Sequence, residues 1–208
     1  MSSPAAARRL KAEDRREQIL AAAAALFVER GFEAVGMADV AAALRTSRPT
    51  VYAYFASTGE MLGALLDARL QDLPARLEPL LGGQEGASFA RLFLALLEER
   101  ELLLLLGSGG GPLFRERRRR FLAAIESRLE LRELQRRRLG PGREQPLLIP
   151  LVLEVLSSAA YEQVTTGAPD PEARARLLER FILGGVAAVS QQNSEGPGVA
   201  RGPSESSP

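Results

Sequence analysis

The sequence predicts an all-α fold in which a small N-terminal unit of three helices precedes a larger helical part. Leu, Ala, Arg and Glu dominate the 208 residues, and no segment alternates β-branched or aromatic residues with polar ones as a half-buried strand does. Apolar residues recur instead at steps of three and four, which is the spacing of one buried helical face. With 46% hydrophobic and 25% charged residues, the composition is that of an ordinary globular protein.

The first helices follow in the order of a helix-turn-helix DNA reader. Residues 16–30 carry an apolar stripe and stop at Gly31, because glycine tolerates the left-handed conformation that closes a helix. Residues 37–44 form a second helix that presents Val40 to the first, and its alanines have high helix propensity.

A third helix, beginning at about Arg48, carries the candidate DNA contacts. Ser47 can cap this helix by accepting hydrogen bonds from free backbone amides, and Pro49 suits a first turn, where its missing N–H costs nothing. Val51 and Phe55 lie four residues apart and can face the core. The other side chains suit phosphate oxygens, base edges and thymine methyl groups. We therefore expect DNA contacts from Arg45, Thr46, Ser47, Arg48, Pro49, Thr50, Tyr52 and Tyr54. Tyr54 is equally compatible with a core position that exposes only its hydroxyl.

The composition argues against metal binding and catalysis, but the net charge gives little support for DNA binding. The net charge is only +1, so the DNA hypothesis depends on the helical motif. The chain has no Cys and no His, which removes the commonest metal ligands and the usual general base, and we expect no metal, no cofactor and no enzymatic activity. Neither a signal peptide nor an uncharged apolar stretch of about 18 residues is apparent, so we expect a cytoplasmic protein without membrane contact.

The N-terminal motif resembles the TetR family of bacterial transcriptional regulators over about residues 15–66. The agreement includes Leu26-Phe27-Val28-Glu29-Arg30-Gly31-Phe32 and Ser47-Arg48-Pro49-Thr50-Val51-Tyr52-Ala53-Tyr54-Phe55. The chain departs from the family pattern in three places, with Gly36 where a capping Ser or Thr is usual, Arg45 where Gly is common, and Thr58-Gly59-Glu60 where a Lys often occurs. The resemblance implies that the helix at 48–54 enters the major groove and that the start of the first helix contacts the DNA backbone.

Five further helical segments follow, at 58–74, from Ser88 onward, and at 112–139, 146–166 and 171–191. Glycines and prolines separate them, with a loop predicted near 82–86. The run at 107–111 is glycine-rich, but it lacks both a preceding strand and the ending of a phosphate-binding loop, which favours a flexible helix connection. The predicted domains are a DNA reader at 12–57, an effector-binding and dimerisation domain at 58–192, and a disordered tail at 193–208, where Ser, Gly, Pro and Glu dominate.

By the same resemblance, the helices at about 146–166 and 171–191 pair with their copies in a homodimer, although internal packing alone would also explain their small residues. An unknown small-molecule effector is expected to bind among the helices of the larger domain. The candidate lining residues are Leu66, Leu70, Phe89, Phe93, Phe121, Ile125, Leu153 and Tyr161, each of which could equally be plain core.

The sequence as a whole favours a homodimeric repressor that a small apolar ligand releases from a palindromic operator in double-stranded DNA. The alternative is an RNA-binding or protein-interaction module that uses the arginine-rich helix around 115–120. A solvated helix face, with these arginines paired to nearby glutamates, is the simpler interpretation of that segment.

Overall fold

The computed structural model describes residues 4–81, 88–139 and 145–192, and every regular element within these ranges is helical. The predicted tail at 193–208 and the predicted loop near 82–86 lie outside the described residues. The described elements are α1 (Pro4–Arg30), a short 3-10 helix (Phe32–Ala34), α2 (Met37–Ala43), α3 (Arg48–Tyr52), α4 (Thr58–Leu81), α5 (Phe89–Leu97), α6 (Arg100–Leu106), α7 (Pro112–Arg128), α8 (Leu131–Leu139), α9 (Leu148–Thr166) and α10 (Pro171–Gln192). The all-α prediction is confirmed.

The predicted helix ends agree with the structure where a local side chain or glycine determines them. Ser47 and Ser88 each accept a hydrogen bond through their hydroxyl oxygen from the amide three residues on, at 3.3 Å in both cases. Asp170 caps α10 in the same way at 2.8 Å. Gly31 and Gly167 follow α1 and α9 with φ of 86° and 62°, the conformation that favours glycine.

Helix α4 does not end near Pro74 as predicted, but continues through Pro74 and Pro79 to Leu81. Each proline removes one backbone hydrogen bond from the helix. However, Leu73, Leu77 and Leu81 are all buried along one face, and their burial offsets that loss. Tertiary packing therefore overrides the local signal for a helix end.

The predicted single helix at 112–139 consists of two helices, α7 and α8. The break falls at Leu129 and Glu130, and Glu130 adopts a left-handed φ of 48°. In a continuous helix, residues two apart point to different sides. Because of the break, Leu129 and Leu131 both line the same internal cavity.

Buried apolar side chains form two clusters. The larger one runs from α1 through α2, α3 and α4 to Phe114, Phe121 and Ile125 of α7. The smaller one joins α5 and α6 to α9 and α10 through residues that include Phe93 and Leu156. Helices α4 and α7 therefore pack in the same core as the N-terminal helices.

Candidate nucleic-acid interface and ligand cavity

The N-terminal helices are held by a closely packed core. Phe27 of α1, Val40 of α2, and Val51 and Phe55 at α3 are all at most 1% exposed. Val51 and Phe55 thus face the core, as their spacing predicts. Because these two residues fix one side of α3, the opposite side is presented outward in a defined orientation.

The turn between α2 and α3 is a Schellman-type helix end. The amide of Arg45 donates to the carbonyl of Ala42 at 3.0 Å, and the amide of Thr46 donates to the carbonyl of Ala41 at 2.9 Å. Arg45 has a left-handed φ of 50°, which explains why glycine is the usual residue at such a position. The arginine thus adopts a strained backbone conformation beside the start of α3.

Two hydroxyl groups organise the first turn of α3. The Ser47 hydroxyl oxygen accepts from the amide of Thr50, and the hydroxyl oxygens of the two residues lie 2.8 Å apart. Pro49 occupies the same turn. Ser47, Arg48 and Pro49 are exposed and Thr50 is half-buried, so the start of the helix presents both polar and charged groups to solvent.

The candidate DNA contacts surround one end of α3. Arg45 is exposed, Thr46 is half-buried, and Tyr52 is 54% exposed, more than any other large apolar side chain whose burial is described in the three N-terminal helices. Helix α3 ends at Tyr52, two residues before the predicted end. Tyr54 lies in the turn that follows. Tyr54 is half-buried and packs against the larger core cluster, so it combines the two roles that its sequence position allowed.

Helix α2 is capped without the usual hydroxyl. The amide of Gly36 donates to a carboxylate oxygen of Asp39 at 2.8 Å, so an acid in the first turn takes over part of the capping. The same carboxylate lies 3.8 Å from the guanidinium of Arg30 at the end of α1. The departure at Gly36 therefore leaves the start of α2 well ordered.

Sequence comparison identifies this packed N-terminal unit. A family profile described as bacterial regulatory proteins of the tetR family matches residues 19–65, which include α2, α3 and the connecting turn. Over these residues the chain is similar to TetR-family regulators. The predicted resemblance is confirmed, and the left-handed Arg45 lies inside the matched region.

The relatives differ in how much of the chain they match. The transcriptional activator FasR of Mycolicibacterium smegmatis is 38% identical over 65 residues, which cover 31% of this chain and only 30% of the relative. The fatty acid degradation regulator FadR from Bacillus halodurans aligns structurally with a TM-score of 0.61 at 16% identity, covering 89% of this chain and 97% of that one. NalD, the secondary repressor of the MexAB-OprM multidrug efflux pump in Pseudomonas aeruginosa, aligns with a TM-score of 0.61 at 21% identity, covering 84% and 96%. The structural matches show that the fold extends through the C-terminal helical domain.

An apolar cavity of about 170 Å³ lies among the helices of this larger domain. Four of the predicted lining residues, Phe89, Phe121, Ile125 and Leu153, do line it. Leucines missed by the sequence analysis supply much of the remaining wall, including Leu73, Leu77, Leu102, Leu103, Leu106 and Leu156. Their positions on α4, α6 and α9 show the helical period, but the sequence alone does not tell a cavity wall from filled core.

The other four predicted lining residues lie elsewhere. Leu66, Leu70 and Phe93 are buried core residues that do not line the cavity, because their faces of α4 and α5 pack directly against neighbouring helices. Tyr161 lines a second, more polar cavity of about 420 Å³. The two cavities share three lining residues, Leu103, Leu106 and Ser157.

The glycine-rich connection between α6 and α7 contacts the N-terminal helices. The amide of Phe32 donates to the carbonyl of Ser108 at 2.6 Å. The amides of Gly110 and Gly111 donate to one carboxylate oxygen of Glu33, the first at 3.0 Å. These hydrogen bonds hold the segment against the residues that follow α1, so it is not the flexible connection that the sequence predicted.

Electrostatics strengthens this contact. The hydrogen bond from Gly111, together with that from Gly110 and the nearby charge of Arg115, holds the pKa of the Glu33 carboxyl below its ordinary value. Glu33 therefore stays ionised at neutral pH. In turn, the guanidinium of Arg115 donates to the carbonyl of Gly110.

The arginine-rich start of α7 is largely engaged by other groups. Arg119 and Arg120 both pair with Glu116, and these two guanidinium groups lower the pKa of its carboxyl. Arg118 pairs with Glu154 of α9 at 2.8 Å. Arg119 and Arg120 stay largely exposed to solvent, but each has a carboxylate partner, which is the solvated, paired helix face that the sequence favours over the RNA-binding alternative.

Helices α9 and α10 expose an unusual amount of apolar surface. Phe181 is 68% exposed, and the other large apolar side chains exposed around these helices are Leu147, Leu151, Leu177 and Leu183. A Cβ atom added at Gly184 or Gly185 would meet nothing within 4 Å, so both glycines face open space. Among the described helices, none is long and apolar enough to cross a membrane.

Proposed function

We propose that the chain is a homodimeric, DNA-binding transcriptional repressor whose reader comprises residues 12–57 and whose effector-binding and dimerisation domain comprises residues 58–192. The observation that carries this proposal is the asymmetry of α3. One side is fixed in the core by Val51 and Phe55, and the other presents Arg48 and Tyr52 to solvent.

The outward side of α3 supplies the groups that duplex recognition needs. The guanidinium of Arg48 can bind phosphate or the acceptors of a guanine edge, while the ring and hydroxyl of Tyr52 can contact a thymine methyl and a phosphate. Arg45, Thr46 and Ser47 lie in the adjoining turn and serve backbone positioning. The half-buried Thr50 and Tyr54 make only edge contacts, and Pro49 fixes the helix start.

The exposed apolar surface of α9 and α10 supports dimerisation. Five large apolar side chains and two adjacent glycines leave a surface that a second copy can cover, with the glycines allowing close helix approach. A two-fold axis through this surface makes the interface self-complementary. Each operator half-site then meets one α3, and the half-sites lie about 34 Å, one helical turn, apart.

The cavity provides the means of regulation. The dimer has one conformation in which the spacing of the two readers matches the operator and another in which it does not. An effector enclosed by α4 to α9 binds more tightly to the second conformation. The DNA affinity then falls by the ratio of the effector's affinities for the two conformations. Helix α6 links the two sites, because it lines the cavity and leads into the loop that contacts Phe32 and Glu33. Ligand binding and operator release are thus connected through one short element.

A selection from a random duplex pool, followed by fluorescence anisotropy on the enriched site, tests this function. We expect the double substitution Arg48→Ala and Tyr52→Ala to lower affinity at least about a hundredfold while circular dichroism stays unchanged, since both side chains are exposed. Arg91→Ala, which removes an exposed arginine from α5, is the matched control and should bind normally. Unchanged affinity of the double variant, or equal binding to duplex RNA, would overturn the assignment.

A further inference from the structure

The two cavities share part of their walls, and together they are called the compartment. The inner part, about 170 Å³, is walled almost entirely by carbon, whereas the lining of the outer part, about 420 Å³, includes arginine, glutamate, serine and tyrosine side chains beside apolar residues and glycines. Leu103, Leu106 and Ser157 belong to both walls. A molecule that fills the compartment must therefore have an apolar end and a polar end.

The volume of the inner part limits the size of the apolar end. An apolar cavity of about 150 Å³ in another protein stays dry and takes up a benzene molecule. The inner part is of similar size, so it holds an aliphatic segment of about six to eight carbons. Its polar groups offer little to a ligand, since the side-chain amide of Gln135 already donates to the carbonyl of Gln145 at 3.1 Å.

The outer part offers a half-buried guanidinium and several hydroxyl groups to a ligand. Arg118 is only 24% exposed, and its guanidinium donates to Glu154 at 2.8 Å and to the Ser157 hydroxyl at 3.2 Å. Arg115 lines the same cavity, but its guanidinium donates to the carbonyl of Gly110 and lies near the charge of Glu33, so Arg118 is the cation that an anionic head would meet. The hydroxyl of Tyr161 makes no hydrogen bond within the described part of the chain, which leaves a donor for a ligand.

We propose that the effector is a medium-chain amphiphile with an anionic head. Its aliphatic chain fills the inner cavity, and its carboxylate lies in the outer cavity beside Arg118 and Tyr161, where it competes with Glu154 for the guanidinium. This inference rests on the proposed function and gives its effector a chemical class. A charge-assisted hydrogen bond to Arg118 is about twice as strong as a neutral one, so the head determines which amphiphiles bind.

The position of the head also connects the ligand to the DNA reader. The ring of Tyr161 lies so close to Gly107 that no side chain could be accommodated there. Three residues further on, the same loop donates from Gly110 to Glu33. A head group that moves the ring of Tyr161 therefore acts on the loop that contacts the reader.

Calorimetric titration of the full chain without DNA tests the ligand class. Octanoate, octanol and octylamine share one chain length and differ in the charge of the head. We expect octanoate to bind at least about tenfold more tightly than octanol, and octylamine to bind most weakly, because the head lies beside the guanidinium of Arg118. Equal affinities for the three, or a preference for the amine, would overturn the proposal.

Two variants test where the ligand's head group and its aliphatic chain bind. The pair Arg118→Gln and Glu154→Gln, which removes both charges without leaving either one unpaired, should abolish the preference for octanoate over octanol while octanol still binds. Arg119→Gln, outside the cavity wall, is the control and should keep the preference. Leu153→Trp should block all three ligands, because its ring occupies the inner cavity. A preference that survives in the double variant contradicts the assignment of the head.

The titration is independent of the proposed function, since it contains no DNA. If octanoate binds as expected, adding it to the protein–operator complex should lower the anisotropy, and this should fail in the double variant. Binding of octanoate without any effect on the operator complex would support the ligand class and overturn the release step of the proposed function. If the protein binds the operator but none of the three compounds, the DNA-binding part of the proposed function is supported and the ligand class is overturned.

Discussion

The N-terminal helices and the helices of the larger domain differ in how completely they cover their apolar side chains. Around α1 to α3, Phe27, Val40, Val51 and Phe55 are at most 1% exposed. Around α5 to α10, a cavity of about 170 Å³ stays open inside, and residues such as Phe181 lie exposed outside. The N-terminal helices thus bury their core residues fully, in one cluster with α4 and α7, whereas α5 to α10 leave apolar surface uncovered in the two places where other molecules are proposed to bind.

The largest expected difference between the regions comes from the same substitution at two phenylalanines. Phe27→Ala should lower the free energy of unfolding by about 3–5 kcal/mol, because it removes a fully buried ring. Phe181→Ala should leave the helix content unchanged and instead raise the dimer dissociation constant. Chemical denaturation measures the first effect and sedimentation velocity the second. Equal losses of helix stability in the two variants would remove the distinction.

A second comparison adds volume instead of removing it. Leu62→Phe places extra carbon where the side chain is fully buried, and overpacking of this kind costs about 1–3 kcal/mol. Leu153→Phe adds the same atoms beside the cavity and should be neutral or stabilising by thermal denaturation. Similar destabilisation at both positions would mean that the cavity cannot accept a group of this size.

Backbone strain at the reader turn gives a smaller effect. Arg45→Gly should raise the free energy of unfolding by about 1 kcal/mol, because glycine adopts the left-handed conformation at little cost. Arg45→Ala keeps a Cβ atom in that conformation and serves as the control, with no such gain. Both variants lose the guanidinium, so they should lose DNA affinity equally. If Arg45→Ala gains the same stability as Arg45→Gly, the gain comes from loss of the positive charge and not from relief of backbone strain.

The smallest expected effect concerns the contact between the domains. Because the folded protein lowers the pKa of Glu33, the contact adds stability above the ordinary carboxyl pKa and loses it as pH falls through the lowered value. Glu33→Gln should therefore cost up to about 1 kcal/mol at neutral pH, since the group is exposed. That difference should shrink in melts as the pH falls below the ordinary carboxyl value of 4.5, and it should vanish once the pH lies below the lowered pKa. Glu29→Gln, an exposed carboxylate on α1, is the control. A Glu33→Gln effect independent of pH would exclude the charged contact.

The sequence predicts features that depend on a few neighbouring residues. Ser47, Ser88 and Asp170 cap helices within one turn, and Val51 with Phe55 defines the buried side of α3, so local chemistry determines each outcome. The same holds for the family motif, which lies in one continuous stretch. In the candidate DNA site, Ser47, Val51 and Phe55 are the residues that lie where the sequence predicts.

The features that the sequence does not predict depend on distant packing. Helix α4 continues past Pro74 because its leucine face is buried. The break at Glu130 orients Leu129 and Leu131 toward the same cavity. Glu33 and Gly110 are 77 residues apart, so no local pattern announces their contact. The distinction between a filled core at Leu66 and a cavity at Leu153 likewise depends on how neighbouring helices meet.

The number of chains on one operator tests the central claim most directly. Native mass spectrometry of the protein with the duplex enriched from a random pool should show two chains per duplex, and the enriched sequence should be palindromic with half-sites about 34 Å apart. The Phe181→Ala variant should bind the same duplex more weakly and with the same stoichiometry when saturated. A single chain per duplex, or a pool without an enriched sequence, would contradict the account.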